Sequence, residues 1–248
     1  MVVVLNTFSI AACCPRSGAL GIAISTALPA VGGYCSFIEP GVGAVATQSW
    51  TNPYLAIDAL AGLAGGATAT EALQRVLDAD SDADLRQVGV VDADGGTAAW
   101  TGAACTDWAG HVAGEGFTVQ GNMLVGAETI DVMVAVMDAT RDRELADRLV
   151  TALLAGQQAG GDKRGKQSAA LKIYGAEAYP LLDLRVDDHS DPVTELARLH
   201  DLAKVQLQPF LDSLPRRKKG QAVPLSDAAK AVIMLPPDRR PRDTGEKA

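Results

Sequence analysis

A chain of 248 residues that is 48% hydrophobic carries ample apolar material for a well-buried core, and with only 4% aromatic residues it suits thin, closely stacked layers. A formal net charge of -8 and a pI near 4.9 argue against a nucleic-acid partner, because phosphate binding needs a basic surface. No window approaches a membrane span, so neither a membrane nor a nucleic acid is expected as a partner.

The first predicted elements form a hairpin. Runs of small and β-branched residues at 7–13 and 19–26 flank Pro15-Arg16-Ser17-Gly18, a turn-forming tetrad with Pro early and Gly last, and their pairing places Thr7 near Ser25 and Thr26. A hydroxyl near the start of a chain acts as a nucleophile when its own α-amine is free to serve as the base. The competing reading of Thr7 is that threonine is simply a good strand former. Ile10-Ala11-Ala12-Cys13 has the look of a lipoprotein cleavage box, but no basic residue precedes Arg16 and Asn6, Thr7 and Ser9 interrupt the apolar run; cytoplasm is expected.

Residues 27–42, punctuated by Gly and Pro, read as a crossing connection or an irregular strand, and 43–50 as a third strand. Thr51-Asn52-Pro53 stops that strand and starts a helix, since Thr or Asn caps a helix and Pro suits its first turn. Helices are expected at 53–63 and 70–79, the second opening on Thr68-Ala69-Thr70-Glu71. A second hairpin joins 86–92 to 97–102 through Ala93-Asp94-Gly95-Gly96, whose glycines tolerate the positive φ of tight turns. Residues 105–116 read as polar and irregular, 117–120 as a strand, and 130–138 and 144–156 as helices, the latter with Leu145, Leu149, Leu153 and Leu154 at helical spacing. A Gly-rich polar loop, 160–168, runs into a strand at 169–174; a further strand at 181–186 and a helix at 193–214 close the compact part. The Pro- and charge-rich stretch 236–248 reads as a disordered tail.

Strand pairs alternating with helix pairs predict an α+β fold: two antiparallel sheets packed face to face and covered by helices on both outer sides. The expected organisation is an extension or propeptide over 1–6, one domain over 7–214 and a polar, partly disordered tail over 215–248. Cys13, Cys14, Cys35 and Cys105 show no zinc-type spacing and read as reduced and mostly buried.

With Thr7-Phe8-Ser9-Ile10, residues 41–48, Thr51-Asn52-Pro53, 86–92, Trp108-Ala109-Gly110-His111, Gln120-Gly121-Asn122-Met123-Leu124, 160–170 and 188–193 in order, the chain resembles the domain of unknown function 1028 family, which is grouped by fold with the N-terminal-nucleophile hydrolases. The resemblance covers residues 7 to about 212. It implies a four-layer αββα sandwich with Thr7 in the nucleophile position, and an amidohydrolase-like activity in which the Thr7 oxygen attacks an amide carbonyl. Asn122 and Asn52 are candidates for stabilising the oxyanion, against the alternative that each Asn shapes its own turn. Ser25 is placed beside Thr7. Because Val2-Val3-Val4-Leu5-Asn6 precede Thr7, loss of the initiator alone does not expose it: either the Asn6-Thr7 bond is cut or another base is needed.

For substrate binding, the loop gathers Asp162, Arg164, Gln167 and Ser168, with Lys163 and Lys166, and His111 is added from the earlier motif. Such a loop suits the carboxylate of a small amide or ureido substrate, Arg164 binding in bidentate fashion; an internal Asp162–Arg164 ion pair is the alternative. The loop lacks nucleotide-loop spacing. Cys105 with His111 is a runner-up nucleophile pair, and Asp187, Asp188, His189 and Asp191 weigh as either a divalent-metal cluster or an ordinary helix start, the start being preferred. No metal or other cofactor is expected. A non-catalytic binding or scaffold protein is the alternative function. Tyr34, Phe37 and Ile38, apolar between Gly-rich turns, suggest a surface covered in a homodimer.

Overall fold

The computed structural model describes residues 7–217 and 224–242. Two compact units divide the chain, Met1–Leu196 and Ala197–Ala248. In the first, ten strands form two antiparallel sheets. The six-stranded sheet has the order β10 (Pro180–Val186), β9 (Ser168–Tyr174), β2 (Leu20–Thr26), β1 (Thr7–Cys13), β8 (Phe117–Asn122), β7 (Gly110–Gly114). The four-stranded sheet runs β3 (Ser36–Glu39), β4 (Gly43–Ser49), β5 (Arg86–Asp92), β6 (Thr97–Thr101). Helices α1 (Pro53–Ala64) and α2 (Ala69–Ala79) pack on the smaller sheet, and α3 (Glu128–Ala139) and α4 (Leu145–Gln158) on the larger, while β1 and β8 face β4 and β5. The layers are therefore α, β, β, α, as expected.

Alternation along the strands assigns their faces. In β4 and β5, Val45, Val88 and Val90 join the α1–α2 core with Leu55, Leu60 and Leu73, so Ala44, Ala46, Gln48, Gln87 and Val91 turn toward the other sheet. In β1 the odd residues Thr7, Ser9, Ala11 and Cys13 meet that layer, whereas a Cβ at Gly156 of α4 would lie 3.3 Å from Phe8, on the helical side. The space between the sheets is thus apolar at the β1–β2 turn, filled by Ala11, Leu20, Ile22, Ala44, Ala46 and Val91, and polar at the Thr7 end. Small residues at Ala11, Ala44 and Ala46 let the sheets approach closely.

The caps match local chemistry. Asn52 accepts from the Tyr54 amide at the start of α1, and Thr68 and Glu71 exchange hydrogen bonds as a capping box on α2. Thr68→Ala is expected to lower stability by about 1 kcal/mol, read as a shift of the urea midpoint at unchanged slope. An unchanged midpoint would show that the packing of α2 alone fixes its start.

Two expectations needed correction. The stretch read as irregular contains β7, and the helix expected over 193–214 ends sooner, as α5 (Pro192–Gln206) followed by the single turn α6 (Gln208–Leu211). The glycines that bound β7 give it weak strand character of its own, so it exists through its ladder to β8. Residues 27–42 resolve into a 3-10 turn (Val31–Gly33) and β3. Within the second unit, α7 (Asp227–Met234) is capped by Ser226, and Arg240 donates to the Leu235 and Ile233 carbonyls. The 1–6 extension and residues 218–223 and 243–248 of the tail lie outside the described residues. Among the described residues no helix is long and apolar enough to cross a membrane, and all four cysteines are free and buried.

Candidate functional site

Thr7 opens β1 between two partners, opposite Thr26 on β2 and Asn122 on β8. All three are buried, and the Thr7 hydroxyl lies 3.3 Å from that of Thr26. The Thr7 carbonyl accepts a 3.2 Å hydrogen bond from Gln48 Nε2, which ties the strand to the facing sheet.

That bond belongs to a buried network whose orientation is fixed by backbone groups. Gln87 Nε2 donates to the Gly121 and Gly110 carbonyls at 2.8 and 3.1 Å, and a carbonyl can only accept. Gln87 Oε1 must therefore face the other way, where it accepts from Gln48 Nε2 at 2.8 Å and Asn122 Nδ2 at 3.0 Å. Gln48 Oε1 in turn accepts from the Ser9 hydroxyl, which accepts from Gln120 Nε2, both at 2.7 Å. Asn122 Oδ1 and Gln120 Oε1 are left buried without a protein partner. Asn122 thus shows an unpartnered acceptor, and a donor toward an oxyanion would have to come from its Nδ2.

The network needs the absence of a side chain at Gly89, where a Cβ would fall 2.2 Å from Gln120 Oε1 and 2.5 Å from Thr118 Oγ1. Three non-glycine residues with positive φ gather at this end of the sheets: Ala30 after β2, Ser49 closing β4 and Met123 after β8. Such conformations cost free energy and cluster where structure is constrained for function.

The remaining predicted residues divide. Ser25 pairs with Phe8, so it neighbours Thr7 along the sheet yet faces the opposite side, and its hydroxyl donates to the Ser168 carbonyl. Asn52 is spent on the α1 cap and on Asp80, in a cleft with Asp58 and Arg75 on the α1–α2 side, apart from the glutamine network. Burial works to raise the Asp80 carboxyl, but hydrogen bonds from Arg86, the Asp82 amide and Asn52 outweigh it and hold its pKa below the ordinary 3.8. A depressed folded-state pKa contributes stability above the unfolded value that is lost as pH falls through the folded one. Asp80→Asn should therefore destabilise the protein at pH 7 but little at pH 2; equal losses in urea unfolding at both would exclude this charge effect.

The 160–168 loop does reach the Thr7 end of the sheet. Gln167 donates its amide to the Thr26 carbonyl, Ser168 pairs with Thr26, and the Ala27 amide donates to Asp162. Ser168 Oγ donates to the Leu28 carbonyl and accepts from the Val31 amide, and Gln167 Nε2 reaches Asp188. Arg164 lies on Asp162, Nη2 to Oδ2 3.1 Å, with the Asp162 side chain 1% exposed. The alternatives left open by the sequence resolve geometrically in favour of the internal ion pair. Lys166 is paired with Asp191, whereas Lys163 donates to the Asp107 carbonyl. Arg164→Lys is accordingly expected to lower stability by about 1 kcal/mol, a cost thermal unfolding would register. An unchanged melting temperature would mean that the pair contributes nothing.

His111 stands opposite Gln120 in the β7–β8 ladder, and its Nδ1 lies 2.8 Å from Thr101 Oγ1, itself 2.8 Å from Gln87 Nε2. Desolvation by its neighbours holds its pKa below the usual imidazole value although part of the residue faces solvent. Cys105 donates instead to the Arg86 carbonyl, and burial pushes its thiol pKa up. Around α5, Asp187 pairs with Arg185, Asp188 with Gln167, and Asp191 with Lys166, while His189 Nδ1 accepts the Asp191 amide. Among the described residues no group of three His, Cys, Asp or Glu is arranged to hold a metal. Sequence reasoning missed Gln48, Gln87 and Gln120, whose signal was an amide on the strand face opposite to the one that carries the valines of the helix-packed core.

Similarity to known proteins agrees with this architecture. A crystal structure from Silicibacter pomeroyi, described by the family model DUF1028, superimposes with a TM-score of 0.81 at 28% identity, covering 88% of this chain and 95% of that one. Weaker likenesses are to Anbu (ancestral beta-subunit) from Yersinia bercovieri, TM-score 0.41 at 14% identity over 84% of this chain and 98% of that one, and to an Anbu (Gly-1) mutant from Hyphomicrobium sp. strain MC1, TM-score 0.41 at 12% identity over 85% and 98%. No curated protein matches. The profile of one family matches residues 7–196, from the first residue of β1 through both sheets and all four covering helices, and the chain therefore belongs to the Family of unknown function (DUF1028).

Proposed function

We propose that the protein is an amidohydrolase of the N-terminal-nucleophile type, cleaving a C–N bond of a small carboxylate-bearing amide or ureido compound with Thr7 as nucleophile. The observation that carries this reading is the placement of Thr7 at the head of a central strand, between Thr26 and Asn122, with its carbonyl gripped by Gln48. Scission of the Asn6–Thr7 bond by water frees the Thr7 amine. That amine takes the hydroxyl proton, the oxygen attacks the substrate carbonyl, and the leaving nitrogen departs with a proton; water then releases the acyl group. Asn122 Nδ2 is the side-chain donor for the oxyanion, and its unpartnered Oδ1 is an acceptor for the freed amine.

Lys163 lies in the loop after α4 and its side chain donates to a carbonyl rather than to a carboxylate, so we assign the substrate carboxylate to it in preference to Arg164, which is paired with Asp162. N-acyl and N-carbamoyl amino acids are the substrates to test. The deciding experiment is intact-mass analysis beside turnover of that panel. Activity that appears only in chains beginning at Thr7 supports the reading, and activity in chains that keep residue 6 refutes the amine as base.

The alternative is a binding or scaffold protein on the same frame, favoured by one observation: Arg164 and Lys166 are already satisfied by internal carboxylates. Ligand-induced rises in melting temperature without any consumption of the ligand select it. For assembly we propose a homodimer through the edge strand β3, where Tyr34 is 63% exposed beside the half-buried Phe37 and Ile38. A sedimentation mass of one 25.7 kDa chain at micromolar concentration would exclude it. Four free buried thiols suit the reducing cytoplasm proposed as its location.

A further inference from the structure

The β1–β2 turn lies six residues along the strand from Thr7, about 20 Å away. It borders a cavity of about 360 Å3 whose walls include Cys14, Ala93, Glu115, Arg141 and Arg148. Arg148, in the first turn of α4, is 4% exposed. Its Nη2 donates to the Met137 carbonyl at 3.0 Å, while its buried Nε has no partner and no carboxylate pairs with it among the described residues. The other arginines of this region are accommodated. Arg141 holds Glu115 and Asp138, and Arg16 donates to the carbonyls of Asp142 and Arg143.

A guanidinium withdrawn from water without an anion is costly, and the cavity is where an anion can reach it. We propose that this cavity is a second ligand site, taking a small monocarboxylate whose charge is paired by Arg148. One negative charge is the limit, because Glu115 and Asp94 also line the cavity and repel a multiply charged ion. The site is independent of Thr7 and of any processing before it.

Thermal unfolding of the full chain in sodium acetate, against sodium chloride at equal ionic strength, tests the assignment. Acetate is expected to raise the melting temperature saturably, and Arg148→Met to weaken the apparent affinity at least about tenfold. A wild-type protein indifferent to acetate overturns the proposal, as does an acetate response that survives in Arg148→Met. Should that variant not fold, Ala93→Met, which fills the cavity and keeps Arg148, gives the decision. Loss of the acetate response there supports the site, and its retention overturns it. Because a carboxylate bound near Thr7 would be untouched by either substitution, these variants separate this site from the proposed active site.

Discussion

Thr7→Ala is expected to reduce kcat on any substrate found in the amide and ureido panel by at least about a thousandfold, since the proposed mechanism attacks through the hydroxyl that this change removes. Its structural cost should be small by comparison, because the side chain gives up one 3.3 Å contact with Thr26 while the carbonyl bond from Gln48 stays. Thr7→Ser keeps the oxygen and should retain measurable turnover. Steady-state rates on matched, correctly folded preparations make the comparison, and full activity in Thr7→Ala would remove Thr7 from the mechanism. The same variant tests processing. If the Asn6–Thr7 bond is cut by the Thr7 hydroxyl itself, Thr7→Ala also keeps its first residues, which intact mass reports directly.

The largest loss of stability is expected from Gln87→Leu. One side chain satisfies Gln48 Nε2 and Asn122 Nδ2 through its oxygen, and the Gly110 and Gly121 carbonyls and Thr101 through its nitrogen. Leucine fills similar space but takes one hydrogen bond from each of these groups, Gln48 keeping the Thr7 carbonyl and Thr101 keeping His111, at about 1 kcal/mol for each bond lost and more for Asn122 Nδ2, so a loss of about 3–5 kcal/mol follows after partial relaxation. For a domain of this size that is roughly 10 °C in melting temperature. Gln120→Met is the control: Gln120 makes one side-chain bond, to Ser9, and its Oε1 is already unpartnered, so the cost should be clearly smaller. Equal costs for the two would mean that the network acts as burial rather than as directed bonds. Partial folding of Gln87→Leu should also disturb Thr7, because Gln48 would lose the acceptor that orients its amide toward the Thr7 carbonyl.

The site was legible in parts. That Thr7 lies near Ser25 and Thr26 followed from the hairpin, because a tetrad such as Pro15-Arg16-Ser17-Gly18 joins adjacent strands, but that Thr26 and not Ser25 stands opposite it came from the register in the structure. The pairing of Thr7 with Asn122 spans more than a hundred residues and carried no local signal; only the quoted motif brought Asn122 forward. The Asn52 cap was equally legible from Thr51-Asn52-Pro53, and the structure spends the residue there. The Asp162–Arg164 pair was left open by the sequence because residues two apart in a Gly-rich loop meet only if the loop folds back, which the Ala27 and Arg164 amides on Asp162 make it do.

The sequence by itself determined the order and kind of most elements, since alternation, turn residues and caps act over a few positions. It determined the helix pairs through leucines at helical spacing and the hairpins through Gly-bearing turns. What it left undetermined was which neighbour covers each strand face. Thr7, Ser9, Gln48, Gln87 and Gln120 sit at alternate positions of strands, a pattern that elsewhere marks a solvent-facing side. Here a second sheet closes over that side, so the polar residues are buried and must satisfy one another. Local propensity contains the two-fold alternation but not the identity of the covering layer, and the same limit hid β7, whose glycines are held extended only by β8. Tertiary packing alone turned scattered amides into one network around Thr7, because hydrogen bonds between sheets depend on distances that no short stretch of chain encodes.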